Sequence, residues 1–450
     1  MPSKEVSMFK KVLIANRGEI ALRVARACRE LGIPTVAVHS VADTDALHVR
    51  FADEAVCIGP AEASKSYLNV PALIAAAEIT GADAVHPGYG FLSENSDFAD
   101  ICKACGLTFI GPTASNMKQW GQKVPARALA KSLGLPLMEG TEVLRDENHA
   151  ADEATRIGFP VMLKASGGGG GRGMKIIRNA EEMRRAFPQA RAEAIAGFDN
   201  GDLYCERFVE EPRHIEFQVL CDGRGNAWVL GERECSIQRR HQKLVEEAPS
   251  VAVTEELRRD MAATIRRAMI DSAYVSAGTL EFLMDERGNL SFMEMNTRIQ
   301  VEHPVTEAIT GVDLLVEQIR IAAGQKIDLP TDIPIRGHAL ELRINAEDPV
   351  TYAPWPGLIT EYIAPGGPGI RVDSGVYGGF RVPGNYDSLL MKLISWGPTR
   401  EMAIRRMKRA VDETVVGGIR TLLPLHREIL RHPDFVAGRL STRFLERMRG

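Results

Sequence analysis

The sequence has no disulfide framework. Its seven cysteines (Cys28, Cys57, Cys102, Cys105, Cys205, Cys221 and Cys235) are odd in number and scattered. Cys102 and Cys105 make a C-x-x-C, but no second pair is there to close a zinc site. No window approaches the roughly 18 uninterrupted apolar residues of a membrane span. Met1 to Phe9 holds neither an apolar signal core nor an arginine-rich transit pattern, so the expected location is cytoplasmic, with Met8 as an alternative start. Charge of one sign is also lacking. Lys plus Arg is 55 and Asp plus Glu 59, a net charge of -4, which offers no electrostatic footprint for nucleic acid. Internal repeats and low-complexity tracts are absent.

What is present is an ordinary globular mixture, 45% apolar and 25% charged. A chain of 450 residues exceeds one compact core and predicts two to four packed domains. The first 120 residues alternate strand and helix patterns. Lys11–Ala15 reads as a strand. Glu19–Leu31 carries Ile20, Val24, Ala27 and Leu31 at helical spacing, and Gly32 stops it. Pro34–His39 is the next strand, Val70–Ile79 a helix and Ala82–His86 a strand. This is the rhythm of a parallel, doubly wound sheet. Its first turn, Ala15-Asn16-Arg17-Gly18-Glu19, lacks the G-x-G-x-x-G fingerprint of a dinucleotide site. Further strands are expected at 159–164, 174–178, 203–208, 214–221, 227–232, 278–284 and 290–295. Helices are expected at 180–196, 255–271, 313–323, 400–413 and 424–431, and Pro330–Pro334 reads as a linker.

Three stretches carry chemistry. Five consecutive glycines, Gly167–Gly171, stand between two strand patterns with Lys164 just before them. A strand on each side describes a hairpin, not the strand-to-helix turn of a Rossmann site, and no Gly-Lys-Ser/Thr follows as a Walker motif requires. A tip of bare backbone lets N–H groups approach phosphate oxygens closely. In Glu294-Met295-Asn296, strand geometry sends Glu294 and Asn296 to one face, with Glu281 on the preceding strand. Two carboxylates and a carboxamide make an all-oxygen set suited to Mg²⁺ with bound phosphates. The flanks are apolar, which argues against solvated edge charges. Ser236 to Lys243 reads as an anion-binding strand presenting His241 and Lys243 from one face, or else as a solvated basic loop. Arg298 and Arg343 would add guanidinium forks for planar anions.

Together these residues resemble biotin carboxylase of the ATP-grasp superfamily, over essentially residues 8–447. The matching stretches are Ile14–Ala21, His86–Asn95, Lys164–Met174, Gln238–Pro249 and Glu294–Pro304. The resemblance implies a mixed α/β and α+β chain in three parts. These are an N-terminal doubly wound pre-ATP-grasp domain (8–120), an ATP-grasp core (121–325) with a glycine-rich lid at about 136–208, and a C-terminal mixed α/β domain (335–447). It also implies ATP-dependent carboxylation of carrier-bound biotin by bicarbonate. Lys123 and Lys164 match lysines on the ATP phosphates, and Gly169, Gly170 and Gly171 belong to the lid loop. Glu206, Arg207, Phe208 and Val209 look like the adenine-edge segment, and His214, Gln238 and His241 match nucleotide contacts. Glu281, Glu294 and Asn296 match the ligands of Mg²⁺ or Mn²⁺, with two ions expected. Lys243, Arg298, Gln300 and the backbone of Val301 match the bicarbonate pocket. Glu302 matches the base that deprotonates bicarbonate, and Arg343 the residue beside the biotin ureido oxygen.

The resemblance further implies a homodimer, a separate biotin carboxyl carrier protein and carboxyltransferase subunits, since no Met-Lys-Met-type hairpin occurs in the chain. Membrane and nucleic acid are not expected partners. Acetyl-CoA is the favoured final acceptor, with propionyl-CoA and pyruvate as alternatives. Another ATP-grasp ligase joining an acid to an amine is the competing enzyme class, and a non-catalytic regulatory relative the competing non-enzyme. Trp355, Pro368 and Gln122 depart from the family pattern. Arg26, Glu30 and Arg371 in the region tied to dimer contacts match it.

Overall fold

The computed structural model describes residues 8–166, 174–198, 200–240 and 242–449. The chain divides into two compact units. The larger takes in Met1–Leu135, Arg213–Leu283 and Met293–Gly450, and the smaller Pro136–Pro212 and Met284–Phe292.

The larger unit opens with a five-stranded parallel sheet. Its strands are β1 (Val12–Ile14), β2 (Thr35–Ser40), β3 (Glu54–Gly59), β4 (Ala84–His86) and β5 (Thr108–Phe109), in the order β3-β2-β1-β4-β5. Between β1 and β2 runs helix α1 (Gly18–Glu30), which buries Ile20, Ala21, Val24, Ala27 and Cys28. It ends where predicted. Gly32 takes φ +70, a left-handed conformation that costs glycine little and closes the last turn. The edge strand β3 was not among the expected strands. It is mostly exposed along its length, so it carries no alternation of apolar and polar residues to read.

The smaller unit holds β6 (Val161–Ala165), β7 (Met174–Ile177) and β8 (Leu203–Arg207) in the order β7-β6-β8. The helices Glu147–Ile157 and Ala180–Phe198 bury Ala150, Ala154, Met183 and Phe187 in one core with Val161, Leu163 and Cys205. β6 and β7 are antiparallel, with Lys164 opposite Met174. The glycine run is therefore bracketed by paired strands, as expected of a hairpin. Residues 167–173, with Gly169, Gly170 and Gly171, lie outside the described residues.

The remaining strands build one large sheet and two small ribbons. They are β9 (Arg213–Asp222), β10 (Ala227–Arg239), β11 (Gln242–Ala248), β12 (Val275–Met284), β13 (Leu290–Asn296) and β14 (His338–Asn345). Next come β15 (Gly357–Leu358), β16 (Glu361–Ile363), β17 (Ile370–Ser374), β18 (Arg381–Val382), β19 (Leu389–Gly397) and β20 (Val415–Gly417). Eight of them pair in the order β13-β12-β9-β10-β11-β14-β19-β17, and β15–β18 and β16–β20 make two small ribbons. The sheet runs straight across the proline-bounded segment 330–334. β11 and β14 pair antiparallel with Val245 opposite Leu342 and Glu246 opposite Glu341. The helices Arg400–Glu413 and Leu423–Arg431 cover this end, burying Ile404, Met407, Leu425 and Ile429 with Leu340, Leu342 and Leu393. Among the described residues no helix is long and apolar enough to cross a membrane.

The stretch from Ser236 to Lys243 is neither one strand nor a loop. β10 ends at Arg239, Arg240 turns at φ +46, and β11 begins at Gln242. His241 lies outside the described residues. β11 also carries an extra residue. Ile237 faces Val245, but the next residue, Gln238, faces Lys243, so Leu244 is a bulge. Leu244 and its neighbour Val245 both enter the same apolar core. The bulge inverts the parity of the strand and puts Lys243 on the same face as Glu246.

Candidate active site

On that face the larger unit gathers charged side chains in a place that burial should forbid. Lys243 is the hub. Its Nζ donates to Glu216 Oε2 at 2.5 Å, Glu302 Oε1 at 2.7 Å, Glu281 Oε1 at 2.9 Å and Gln300 Oε1 at 3.3 Å. Glu216 and Glu302 are wholly buried, and Glu281 nearly so. Ions taken out of water persist only when paired and hydrogen-bonded, and here the pairing is dense. Burial alone would strip the proton from Lys243, but Glu216, Glu281 and Glu302 outweigh it and hold the ammonium well above its ordinary value. Burial likewise opposes charge on Glu302, yet Lys243, Arg343 and Arg233 hold its carboxyl below the usual range. Glu281 is held well below it as well, with Lys243 and His214 overcoming burial.

Two arginines complete the frame. Arg343 donates Nη2 to Glu302 Oε2 at 2.8 Å and Nε to Glu246 Oε1 at 2.6 Å. Glu302 thus lies between a lysine and an arginine, one on each oxygen. Arg233, fully buried, donates Nε to Glu216 at 2.5 Å and Nη1 to Gln218 and Thr306 at 2.8 Å each. Glu302 owes its place to the turn before the helix His303–Thr310, where it is the N-terminal flanking residue. Val301 in the same turn accepts Lys392 Nζ on its carbonyl at 2.8 Å.

Arg298 stands at the edge of this group, with a fifth of its side chain exposed. Its Nε donates to Glu94 Oε2 at 2.9 Å and its Nη2 to Asn296 Oδ1 at 2.9 Å. Glu94 Oε1 also accepts the Thr297 N–H at 3.0 Å, so one carboxylate grips both the backbone and the guanidinium. Sequence reasoning quoted Glu94 within a motif without giving it this part. It also missed Glu216 and Arg233, although His214-Ile215-Glu216-Phe217-Gln218 alternates polar and apolar residues along one strand.

The expected metal ligands sit on β12 and β13. Asn296 Nδ2 and Gln300 Nε2 each lie 2.9 Å from Glu281 Oε1, and His214 Nε2 lies 3.1 Å from Glu281 Oε2. Glu294 is half-buried on the same face of β13 as Asn296. The donor set fits a hard divalent cation, since Glu281 is ionised and Glu294 and Asn296 carry a carboxylate and a carboxamide oxygen. Two further groupings bring ligand atoms within 4.8 Å of one another, His214-Glu216-Glu281 and Glu216-Cys235-Glu302. Both rely on Glu216, whose oxygens already accept from Arg233 and Lys243.

Other expected contacts fall in different places. Gln238 is opposite Lys243 at the end of β10. Lys123 begins the helix Lys123–Ser132, and its side chain lies outside the described residues. In the smaller unit Lys164 Nζ meets Glu206 Oε2 at 2.5 Å, and Arg207 lies 3.6 Å from both Asp285 and Glu286. Phe208 follows β8 and donates its N–H to Pro160, and Val209 is buried beside it.

Three family models match the chain. They are Biotin carboxylase, N-terminal domain (residues 8–117), Carbamoyl-phosphate synthase L chain, ATP binding domain (122–329), and Biotin carboxylase C-terminal domain (341–447). The curated biotin carboxylase of Haemophilus influenzae is 55% identical over 446 residues, covering 98% of this chain and 99% of that protein. The Hydrogenobacter thermophilus 2-oxoglutarate carboxylase biotin carboxylase domain dimer, solved with MgADP, ADP and bicarbonate, is 49% identical with a TM-score of 0.89 over 98% of each chain. A solved biotin carboxylase subunit of pyruvate carboxylase is 48% identical with a TM-score of 0.90, again over 98% of each chain.

Proposed function

The chain belongs to the biotin carboxylase family of ATP-grasp ligases, and on that footing we propose that it carboxylates biotin on a separate carrier protein, using bicarbonate and ATP. The observation that carries this reading is Glu302, a buried carboxylate with Lys243 on one oxygen and Arg343 on the other. A carboxylate so held is ionised and poised to take a proton, beside cations that fit a planar anion and an enolate oxygen.

Bicarbonate is a poor nucleophile. Lys243, Arg298, Gln300 and the backbone of Val301 hold it, and Glu302 takes its proton as its oxygen attacks the γ-phosphorus of ATP. Bicarbonate also draws Lys243 toward itself, which relieves one charge on Glu302 and makes it a stronger base. ADP leaves, and carboxyphosphate breaks down to carbon dioxide and phosphate. Phosphate then takes the proton from biotin N1′, Arg343 stabilises the oxygen on which charge gathers, and N1′ captures the carbon dioxide. Glu281, Glu294 and Asn296 would hold Mg²⁺ or Mn²⁺, which supplies charge neutralisation for phosphoryl transfer.

For the nucleotide we propose Lys123, His214, Gln238 and His241 in the larger unit. In the smaller unit we propose Lys164, Glu206, Arg207, Phe208, Val209 and the glycines Gly169, Gly170 and Gly171. The reading includes the three-domain division 8–120, 121–325 and 335–447, a homodimer, a carrier protein and carboxyltransferase subunits, and a cytoplasmic location. The dimer has support from the Hydrogenobacter relative. Acetyl-CoA is the proposed acceptor. The relative from pyruvate carboxylase keeps pyruvate as the second reading.

The test is ADP release with bicarbonate, with and without free biotin. Stimulation by biotin is the expected outcome, and its absence with both substrates present would favour an acid–amine ligase. The biotinylated protein and transferase that co-purify with the chain identify the acceptor.

A further inference from the structure

Two carboxyl groups beside Arg343 have no part in that mechanism. Glu341 on β14 and Glu246 on β11 are directly opposed in the antiparallel register. Their side chains therefore share one face, with Cα atoms about 5 Å apart. Both are fully buried. Arg343, two residues along β14 on that face, gives Nε to Glu246 and Nη2 to Glu302. Glu341 receives nothing. Neither of its oxygens has a hydrogen-bond partner among the described residues, and Glu246 Oε2 has none either.

The groups that face Glu341 come from every neighbouring element. They are Glu246 from β11, Arg343 from β14 itself, Lys392 from β19, Glu302 before the helix His303–Thr310, and Tyr89 after β4. Lys392 spends its ammonium elsewhere, 2.8 Å from the Val301 carbonyl and 3.3 Å from Glu19. An ionised carboxylate with no donor in such surroundings is strongly disfavoured, while a carboxylic acid is not. Burial pushes the Glu341 carboxyl well above its ordinary value, and Glu246 and Glu302 add to this against Lys392 and Arg343. Burial raises Glu246 too. Arg343 at 2.6 Å favours the charged form there, so of the facing pair Glu341 keeps the proton.

We propose that Glu341 is a neutral carboxylic acid at neutral pH and a positioning residue for Arg343. With Glu341 neutral, the guanidinium is drawn only by Glu246 and Glu302. Those two bonds fix its plane and leave Nη1 for the biotin ureido oxygen. Ionised Glu341 would add a third attraction along β14 and swing the fork off that oxygen. The inference rests on the proposed role of Arg343 and deepens it.

Difference infrared spectra of wild type against Glu341→Gln test the proton directly. At neutral pH the wild type should show a protonated-carboxyl stretch that the variant lacks, and no lost band overturns the proposal. Kinetics test the positioning. From neutral to about pH 9, the ratio of Glu341→Gln to wild-type kcat for biotin carboxylation should rise about threefold or more. The ratio for bicarbonate-dependent ATP cleavage without biotin should stay flat. Two flat ratios, or two that rise together, overturn it. Should Glu341→Gln not fold, Glu246→Gln in the infrared serves instead. The Glu341 band should persist but disappear at a lower pH than in wild type, and an unmoved titration overturns the proposal. A wild type that biotin does not stimulate sinks the reading of the whole site, while the infrared result still decides whether Glu341 holds a proton.

Discussion

Lys243 and Glu302 are joined Nζ to Oε1 at 2.7 Å, and the same ammonium touches Glu216 and Glu281. One cation is therefore shared by three buried carboxylates, of which Glu216 also keeps Arg233 and Glu302 also keeps Arg343. Replacing it with Met would leave them facing one another in low dielectric. Lys243→Met should cost about 3–5 kcal/mol of unfolding free energy. Denaturant unfolding measures this, and a loss below about 1 kcal/mol would show that the carboxylates had found other partners.

Stability should fall on the acid side. Glu281 and Glu302 have folded values below the ordinary glutamate range, and Asp373 is held down to about 2 by Lys392 and Arg371 against burial. Depressed carboxyls contribute stability that is present above the unfolded value, about 4, and is lost as pH falls through the folded value. The unfolding free energy should therefore decline from about pH 4.5 downward. Glu302→Gln should make that decline shallower, and an unchanged slope in the variant would remove Glu302 from the account.

Arg298 offers its guanidinium at the exposed edge of the site. Arg298→Ala should slow bicarbonate-dependent ADP release on the order of 100-fold, with the fold intact by circular dichroism. Wild-type rates in this variant, or in Glu302→Gln, would defeat the proposed roles.

Glu94 acts through Arg298 and not on a substrate. Glu94→Gln keeps the shape but weakens a charge-assisted bond, which predicts about a 10-fold rise in the KM for bicarbonate with a smaller change in kcat. Glu94→Asp should recover part of the loss. Equal changes in kcat and KM, with lowered stability, would mean that Glu94 only supports the fold.

Local rules made some of this legible and could not reach the rest. The stop at Gly32 and the shared face of Glu294 and Asn296 follow from backbone geometry over a few residues, and both appear in the structure. Pairing at a distance does not follow. Arg298 and Glu94 are 204 positions apart, and Arg233 finds Glu216 only because the pairing of β9 with β10 sets the two opposite each other. Pro330–Pro334 breaks the local pattern, yet the sheet passes it by because β14 finds its partner in β11. The Arg240 turn was missed because a basic run leaves no apolar periodicity to mark where one strand ends and the next begins.

The bulge at Leu244 means that a more regular strand of the same length would make a worse enzyme. A regular strand that kept Leu244 in line would send Lys243 to the opposite face, away from Glu216, Glu281 and Glu302. The irregularity is thus a counting device. Tolerance for insertions and deletions in this hairpin should be set by parity counted without the bulged residue, so that loss of Leu244 itself leaves Lys243 and Glu246 on one face.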